Sequence, residues 1–213
     1  MGMNLVAFDF DGTLSNSEMT VLLGEQCGVA DEMAAITERA MNDEIEYAES
    51  LRERVALLEG LPVEAVEAAF DEVRLNPGAA DLINVLNDAG VVTAVLTGGF
   101  GRGVEHVLAR NETPVDTIVA NQLEFDGHRL TGEVSGPLVE GTKDDALRTV
   151  AGNAGVEVED TVAVGDGAND LPMLRAAGLA VGYEPKPAVE PHCDVVVESM
   201  ADLREVLEAR DVL

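Results

Sequence analysis

Short apolar runs that stop abruptly at acids, hydroxyls and glycine recur along this chain, at residues 5–10, 91–96, 117–120, 161–164 and 194–197. Unbroken apolar sequence of this length suits strands buried on both faces of a parallel sheet. Between most of these runs lie stretches with helical periodicity, at residues 79–89, 104–109, 143–151 and 170–177. Strand and helix in alternation predict a doubly wound, Rossmann-like α/β fold.

One stretch breaks the alternation. Residues 17–73 hold no convincing strand, only helical pattern at 18–26, 31–41, 46–59 and 62–73, with Gly28, Asn42-Asp43 and Gly60 as turns. The chain of 213 residues is long enough for a core that carries a smaller inserted unit. The expectation is a helical cap domain over residues 15–74, set above the carboxyl edge of an α/β core made of residues 1–14 and 75–213. A β-hairpin is expected at residues 121–135, turning at Asp126-Gly127.

Asp9-Phe10-Asp11-Gly12-Thr13 stands at the tip of the first run. Alternation along an extended chain throws Asp9 and Asp11 to one side, and Gly12 lets the chain turn sharply. Two acids at a strand end can divide labour, one attacking and the other moving a proton; the plain alternative is an Asp-rich turn. A second acidic cluster, Asp166-Gly167-Ala168-Asn169-Asp170, follows the 161–164 run. Magnesium takes hard oxygen ligands, one or two carboxylates with phosphate oxygens and water, and Asp166 with Asp9 could supply the carboxylates. Asn169 and Asp170 could equally cap the next helix. Thr97-Gly98-Gly99-Phe100 closes the 91–96 run and offers a hydroxyl and backbone N–H groups to phosphate oxygens. Val104 stands where a GxGxxG pattern from Gly99 needs its last glycine, which argues against a dinucleotide site.

Charge sharpens the choice. Forty-one acidic residues against 13 basic ones give a formal net charge of −28. That disfavours nucleic acid and anionic membrane surfaces as partners, since both are bound by clustered Lys and Arg. It fits a solvated acidic surface adapted to salt. Lys143 and Lys186 are the only two lysines, and Lys143, a compact cation beside the acid clusters in sequence order, suits a phosphoryl group. Cys27 and Cys193 lack CxxC spacing and are expected to be buried thiols. No basic n-region and no apolar run of membrane-spanning length is visible, so the expected location is the cytoplasm. The sequence does not set the oligomeric state, and a homodimer is left open.

Acid pair, hydroxyl, lysine and acid pair follow one another in the order of the four motifs of the haloacid dehalogenase (HAD) superfamily, and the chain resembles the phosphoserine phosphatase family from end to end. The resemblance implies that Asp9 forms an aspartyl-phosphate and that Asp11 protonates the leaving oxygen, then activates water. It implies Mg2+ held by Asp9, the backbone carbonyl of Asp11 and Asp166. Thr97, Gly98 and Lys143 would hold the phosphoryl group with Asn169 nearby, and Asp170 would orient the lysine or the metal shell. Ser15-Asn16-Ser17-Glu18, Ala40-Met41 and Ser50-Leu51-Arg52-Glu53-Arg54 resemble the family's cap and hinge segments. There Glu18 would meet the substrate ammonium, Arg54 its carboxylate, and Met41 and Tyr47 would shield the site. Gly12 and Thr97 replace the Ser common in close relatives, and Tyr47 stands where Phe is more typical. His106, His128 and His192 match no motif position. The expected activity is hydrolysis of O-phospho-L-serine; the alternatives are another small phosphate ester, or a module that holds phosphate without turning it over. Phosphonate hydrolysis by a cap lysine is excluded because no Lys precedes Lys143.

Overall fold

The computed structural model describes residues 3–41 and 44–213, without the side chain of Met41, so the expected Asn42-Asp43 turn lies outside the described residues. Among them one sheet contains β1 (Leu5–Phe8), β2 (Val92–Phe100), β3 (Thr117–Asp126), β4 (Arg129–Ser135), β5 (Thr161–Gly165), β6 (Leu179–Tyr183) and β7 (Val195–Val197). Their order is β4-β3-β2-β1-β5-β6-β7. Every pairing is parallel except that of β3 with β4. The helices are α1 (Met19–Cys27), α2 (Ala30–Met41), α3 (Tyr47–Ala56), α4 (Val63–Glu72), α5 (Ala79–Asp88), α6 (Gly101–Arg110), α7 (Pro137–Glu140), α8 (Lys143–Ala154), α9 (Leu171–Ala176) and α10 (Met200–Ala209).

Side-chain alternation builds two cores, one on each face of the sheet. Val6 and Phe8 of β1 join Val95, Val162 and Val181 in a cluster with residues of α5, α6 and α10. Leu5 and Ala7 join Ala94, Leu96, Ala163 and Ala180 in a second cluster with residues of α8 and α9. A strand buried on both sides must be apolar at every position, as the four residues of β1 are. This is the doubly wound architecture expected.

β1 lies at the centre, paired with β2 on one side and β5 on the other. The chain winds outward from β1 to β3 and then crosses to β5, so the ends of β1 and β5 flank the switch point where open α/β sheets bind ligands. Helices α1 to α4 are inserted directly after β1. Asn16 N donates to Arg74 O at 3.1 Å and Asn76 N to Leu14 O at 2.8 Å, so the outgoing and returning segments run side by side.

Three sequence expectations need correction. β6 adds a strand where the sequence carries no strand signal, because Leu179 to Tyr183 follows directly on Gly178 and a helical pattern, and its Ala and Gly weaken any strand signature. β2 does not stop at Leu96 but continues through Thr97, Gly98 and Gly99, with a register shift against β3 between Leu96 and Phe100; such an irregularity re-aims side chains at a strand end. Cys27 is exposed at the end of α1 and Cys193 is only half-buried. The hairpin is present as the antiparallel β3–β4 pair, with Gly127 in the left-handed region at φ +60°.

Candidate active site

Asp9 is the first residue past β1, and its N–H still donates to Val164 O of β5 at 2.9 Å. The buried rings of Phe8 and Phe10 fix the chain on either side of it. At Gly12 the backbone takes φ +85°, and a Cβ there would sit 2.8 Å from both carboxylate oxygens of Asp166. The turn after β1 therefore lies against the acid that follows β5, and a residue without a side chain allows it.

Lys143, at the start of α8, is buried beneath this junction. Its Nζ donates to Asp9 Oδ1 and to Asp170 Oδ1, both at 2.5 Å. The other oxygen of Asp170 accepts the backbone N–H groups of Asp166 at 3.0 Å and Gly167 at 2.9 Å. Asp170 thus caps the turn after β5 and orients the lysine together. Lys186 Nζ lies 3.1 Å from Asp166 Oδ2. Oxygens of Asp9, Asp166 and Asp170 lie within 4.8 Å of one another.

Burial first, and then the charge of Asp170, push the Asp9 carboxyl up to about 8, against the lowering influence of Lys143. Burial, reinforced by Glu18 and Asp9, holds Asp11 well above the usual carboxylate range. Asp166 is also raised, chiefly by burial. Burial alone would lower Lys143, but the charges of Asp170 and Asp9 outweigh it and keep the ammonium protonated. Three buried carboxylates with more negative charge than their lysines neutralise are a donor set of hard oxygens suited to a divalent cation.

Thr97 Oγ1 accepts from Gly99 N at 2.9 Å, and the Asp11 carboxylate stands over Gly99, close enough that a Cβ there would meet its Oδ2 at 2.9 Å. Asp11 Oδ1 accepts from Met19 N at 3.4 Å, which ties it to the first turn of α1. Arg54 donates through Nη1 to Thr20 Oγ1 at 3.4 Å and through Nε to Ser50 O at 3.3 Å.

Of the residues singled out from sequence, Asp9, Asp11, Glu18, Tyr47, Arg54, Thr97, Gly98, Asp166 and Asn169 all line one cavity, and Lys143 sits behind its floor. The Met41 side chain lies outside the described residues. The carboxylate of Asp11 is not part of the acidic triad, which contains Asp170 instead; its expected contribution to a metal was the backbone carbonyl. Thr20, Leu51 and Lys186 also line the cavity and were not anticipated. For Lys186 a signal existed: it is the other lysine of a chain that has two.

A family model for haloacid dehalogenase-like hydrolases matches residues 6–175. A phosphoserine phosphatase of Halobacterium salinarum is 55% identical over 97% of this chain and 98% of its own length. Among solved structures, a phospho-aspartyl intermediate analogue of phosphoserine phosphatase superposes with a TM-score of 0.88 at 38% identity, covering 98% of this chain and 99% of the other. A substrate-bound phosphoserine phosphatase complex gives a TM-score of 0.88 at 37% identity with the same coverage.

Proposed function

Because the chain belongs to the haloacid dehalogenase-like hydrolases, we infer that it hydrolyses O-phospho-L-serine to L-serine and phosphate through an aspartyl-phosphate on Asp9. The observation that carries this reading is a single cavity that unites two sets of groups. Asp9, Asp11, Thr97 and Asp166 suit phosphoryl transfer, while Glu18 and Arg54, on the inserted helical segment, offer one charge of each sign to a zwitterionic head group. A substrate-bound phosphoserine phosphatase of the same fold supports it.

The mechanism follows from the positions of the acids. Asp9 attacks phosphorus, the bond from phosphorus to the serine oxygen breaks, and Asp11 gives its proton to that oxygen. The raised affinity of Asp11 for protons suits an acid that must arrive protonated. Asp11 then takes a proton from the water that attacks the aspartyl-phosphate, and phosphate leaves as the bond to Asp9 breaks. Thr97, Gly98 and Lys143 hold the transferring group, with Asn169 beside it. Asp9, Asp166 and the backbone carbonyl of Asp11 would hold Mg2+, which when bound offsets negative charge and keeps Asp9 ionised. Residues 15–74 act as a cap that carries Glu18, Tyr47 and Arg54 to the site and excludes bulk water. A cytoplasmic enzyme with a salt-adapted surface completes the proposal; it rests on the net charge of −28 and the relative from Halobacterium.

The test is release of phosphate from phosphoserine with and without Mg2+, beside other phosphate esters, at low and multimolar salt. Asp9→Asn should abolish turnover while phosphate still binds; substantial turnover in that variant refutes the nucleophile.

A further inference from the structure

We propose that the hydroxyl of Tyr47 donates a hydrogen bond to the phosphoryl group undergoing transfer, so that the inserted helices contribute to the chemistry as well as to recognition of the head group. The inference rests on the phosphoryl-transfer reading of this site and deepens it.

Tyr47 is the first residue of α3, and the extended Glu46 before it delivers the ring to the sheet's edge. A Cβ built on Gly98 would collide with Tyr47 Oη. The phenol therefore rests directly on the backbone of the Thr97-Gly98 segment, and the missing side chain makes that approach feasible. The residue as a whole keeps 40% of its surface open to solvent, yet its hydroxyl lies against Gly98 in the cavity shared with Asp9, Asp11, Thr97 and Arg54. The carbonyl of Gly98 is already held by Asn121 Nδ2 at 3.0 Å. Among the described residues no hydrogen bond to the Tyr47 hydroxyl is found, so a donor faces the cavity without a protein acceptor.

The surroundings favour a phosphoryl oxygen as that acceptor. Lys143 already divides its donors between Asp9 and Asp170, which leaves few protein donors for three phosphoryl oxygens. The head group has charged groups of its own in Glu18 and Arg54. Burial raises the phenol above its usual range, more than Lys143 and Arg54 lower it, so it remains a donor throughout the neutral range. An uncharged O–H adds a hydrogen bond without drawing a further counter-charge into an acidic site.

The test is Tyr47→Phe, which keeps the ring and removes only the hydroxyl. Three measurements are made beside wild type: turnover of phosphoserine, turnover of 4-nitrophenyl phosphate, which lacks the amino-acid head, and binding of orthovanadate. Loss of a hydrogen bond to a charged acceptor predicts a fall in kcat/KM of about 10- to 100-fold on both esters, with vanadate affinity reduced in parallel. Inhibition by free serine, which carries only the head group, should be unchanged. Unaltered kcat/KM and vanadate affinity overturn the proposal; so does a loss confined to phosphoserine with vanadate binding intact, since the hydroxyl would then serve the head group. If wild type cleaves the aryl ester but not phosphoserine, the substrate assignment falls while the aryl ester and vanadate still decide the role of Tyr47.

Discussion

Replacing Lys143 by Met keeps the length of the stem and removes the charge from between two buried carboxylates. Lys143 Nζ meets Asp9 and Asp170 at 2.5 Å each, and all three groups are almost fully buried. Breaking a buried ion pair on one side costs about 3–5 kcal/mol, because an uncompensated charge is left behind. For a chain of this size that is a fall in Tm of roughly 6–20 °C, measured by thermal unfolding in EDTA.

The pH dependence identifies the cause. Asp9 is held at about 8 against an ordinary value of 3.8, so between those values the folded state binds more protons than the unfolded chain. Stability then falls as pH rises through that window. Without Lys143 the preference of Asp9 for its proton strengthens, and the variant's deficit should be larger at pH 8 than at pH 5, where protons supply the neutralisation. Added Mg2+ should recover part of the loss, by about 2.7 kcal/mol at a hundred times its dissociation constant. A Tm within about 2 °C of wild type at pH 8, or equal deficits at the two pH values, refutes the charge argument.

Two further outcomes follow from the same geometry. Arg54→Ala should lower kcat/KM on phosphoserine by about 100-fold or more, since the half-buried guanidinium proposed to grip the substrate carboxylate is lost, and should change turnover of an aryl phosphate by less than about threefold; equal losses on both would place Arg54 outside head-group recognition. Gly12→Ala forces a side chain into φ +85° and against the Asp166 carboxylate; strain of roughly 1–2 kcal/mol and displacement of the proposed ligand Asp166 should weaken Mg2+ binding, measured by calorimetry, by more than about tenfold, and unchanged affinity would remove Asp166 from the proposed metal site.

Much of this site was legible because its residues sit at strand ends. Asp9 and Asp166 each follow an unbroken apolar run, and a buried parallel strand announces both itself and the place where it stops. Thr97 was found by the same logic, although β2 in fact runs on through it. What lay beyond one-dimensional reading depends on folding back. The Lys186 contact with Asp166 bridges a loop after β6, and β6 itself lacked a strand signature. The support of Arg54 by Thr20 joins α3 to α1 across the helical insertion. Helical periodicity in residues 17–73 predicted those helices well, but periodicity gives the buried face of a helix and not the helix it meets. Exposure of Cys27 was misjudged for the same reason, since its burial depends on whether a neighbour covers the end of α1.

Both lysines of this acidic chain end on one cluster, Lys143 on Asp9 and Asp170, Lys186 on Asp166. Three carboxylates against two ammonium groups leave one negative charge, and this surplus is what burial turns into the raised proton affinity of Asp9. Below about pH 8 the proton on Asp9 leaves the cation-free cluster without net charge, whereas a bound divalent ion, with Asp9 ionised, would bring it to +1 and give a phosphate dianion an opposite charge to meet. At an effective dielectric constant of about 20 a unit pair near 4 Å is worth about 4 kcal/mol, so even after generous allowance for solvent the added positive charge is worth more than a hundredfold in phosphate affinity. Inorganic phosphate should therefore bind more than about 100-fold more weakly in EDTA than with saturating Mg2+. Calorimetric affinities that agree within threefold between the two conditions would mean that the lysines alone balance the cluster, and that the carboxylates are not arranged around a cation.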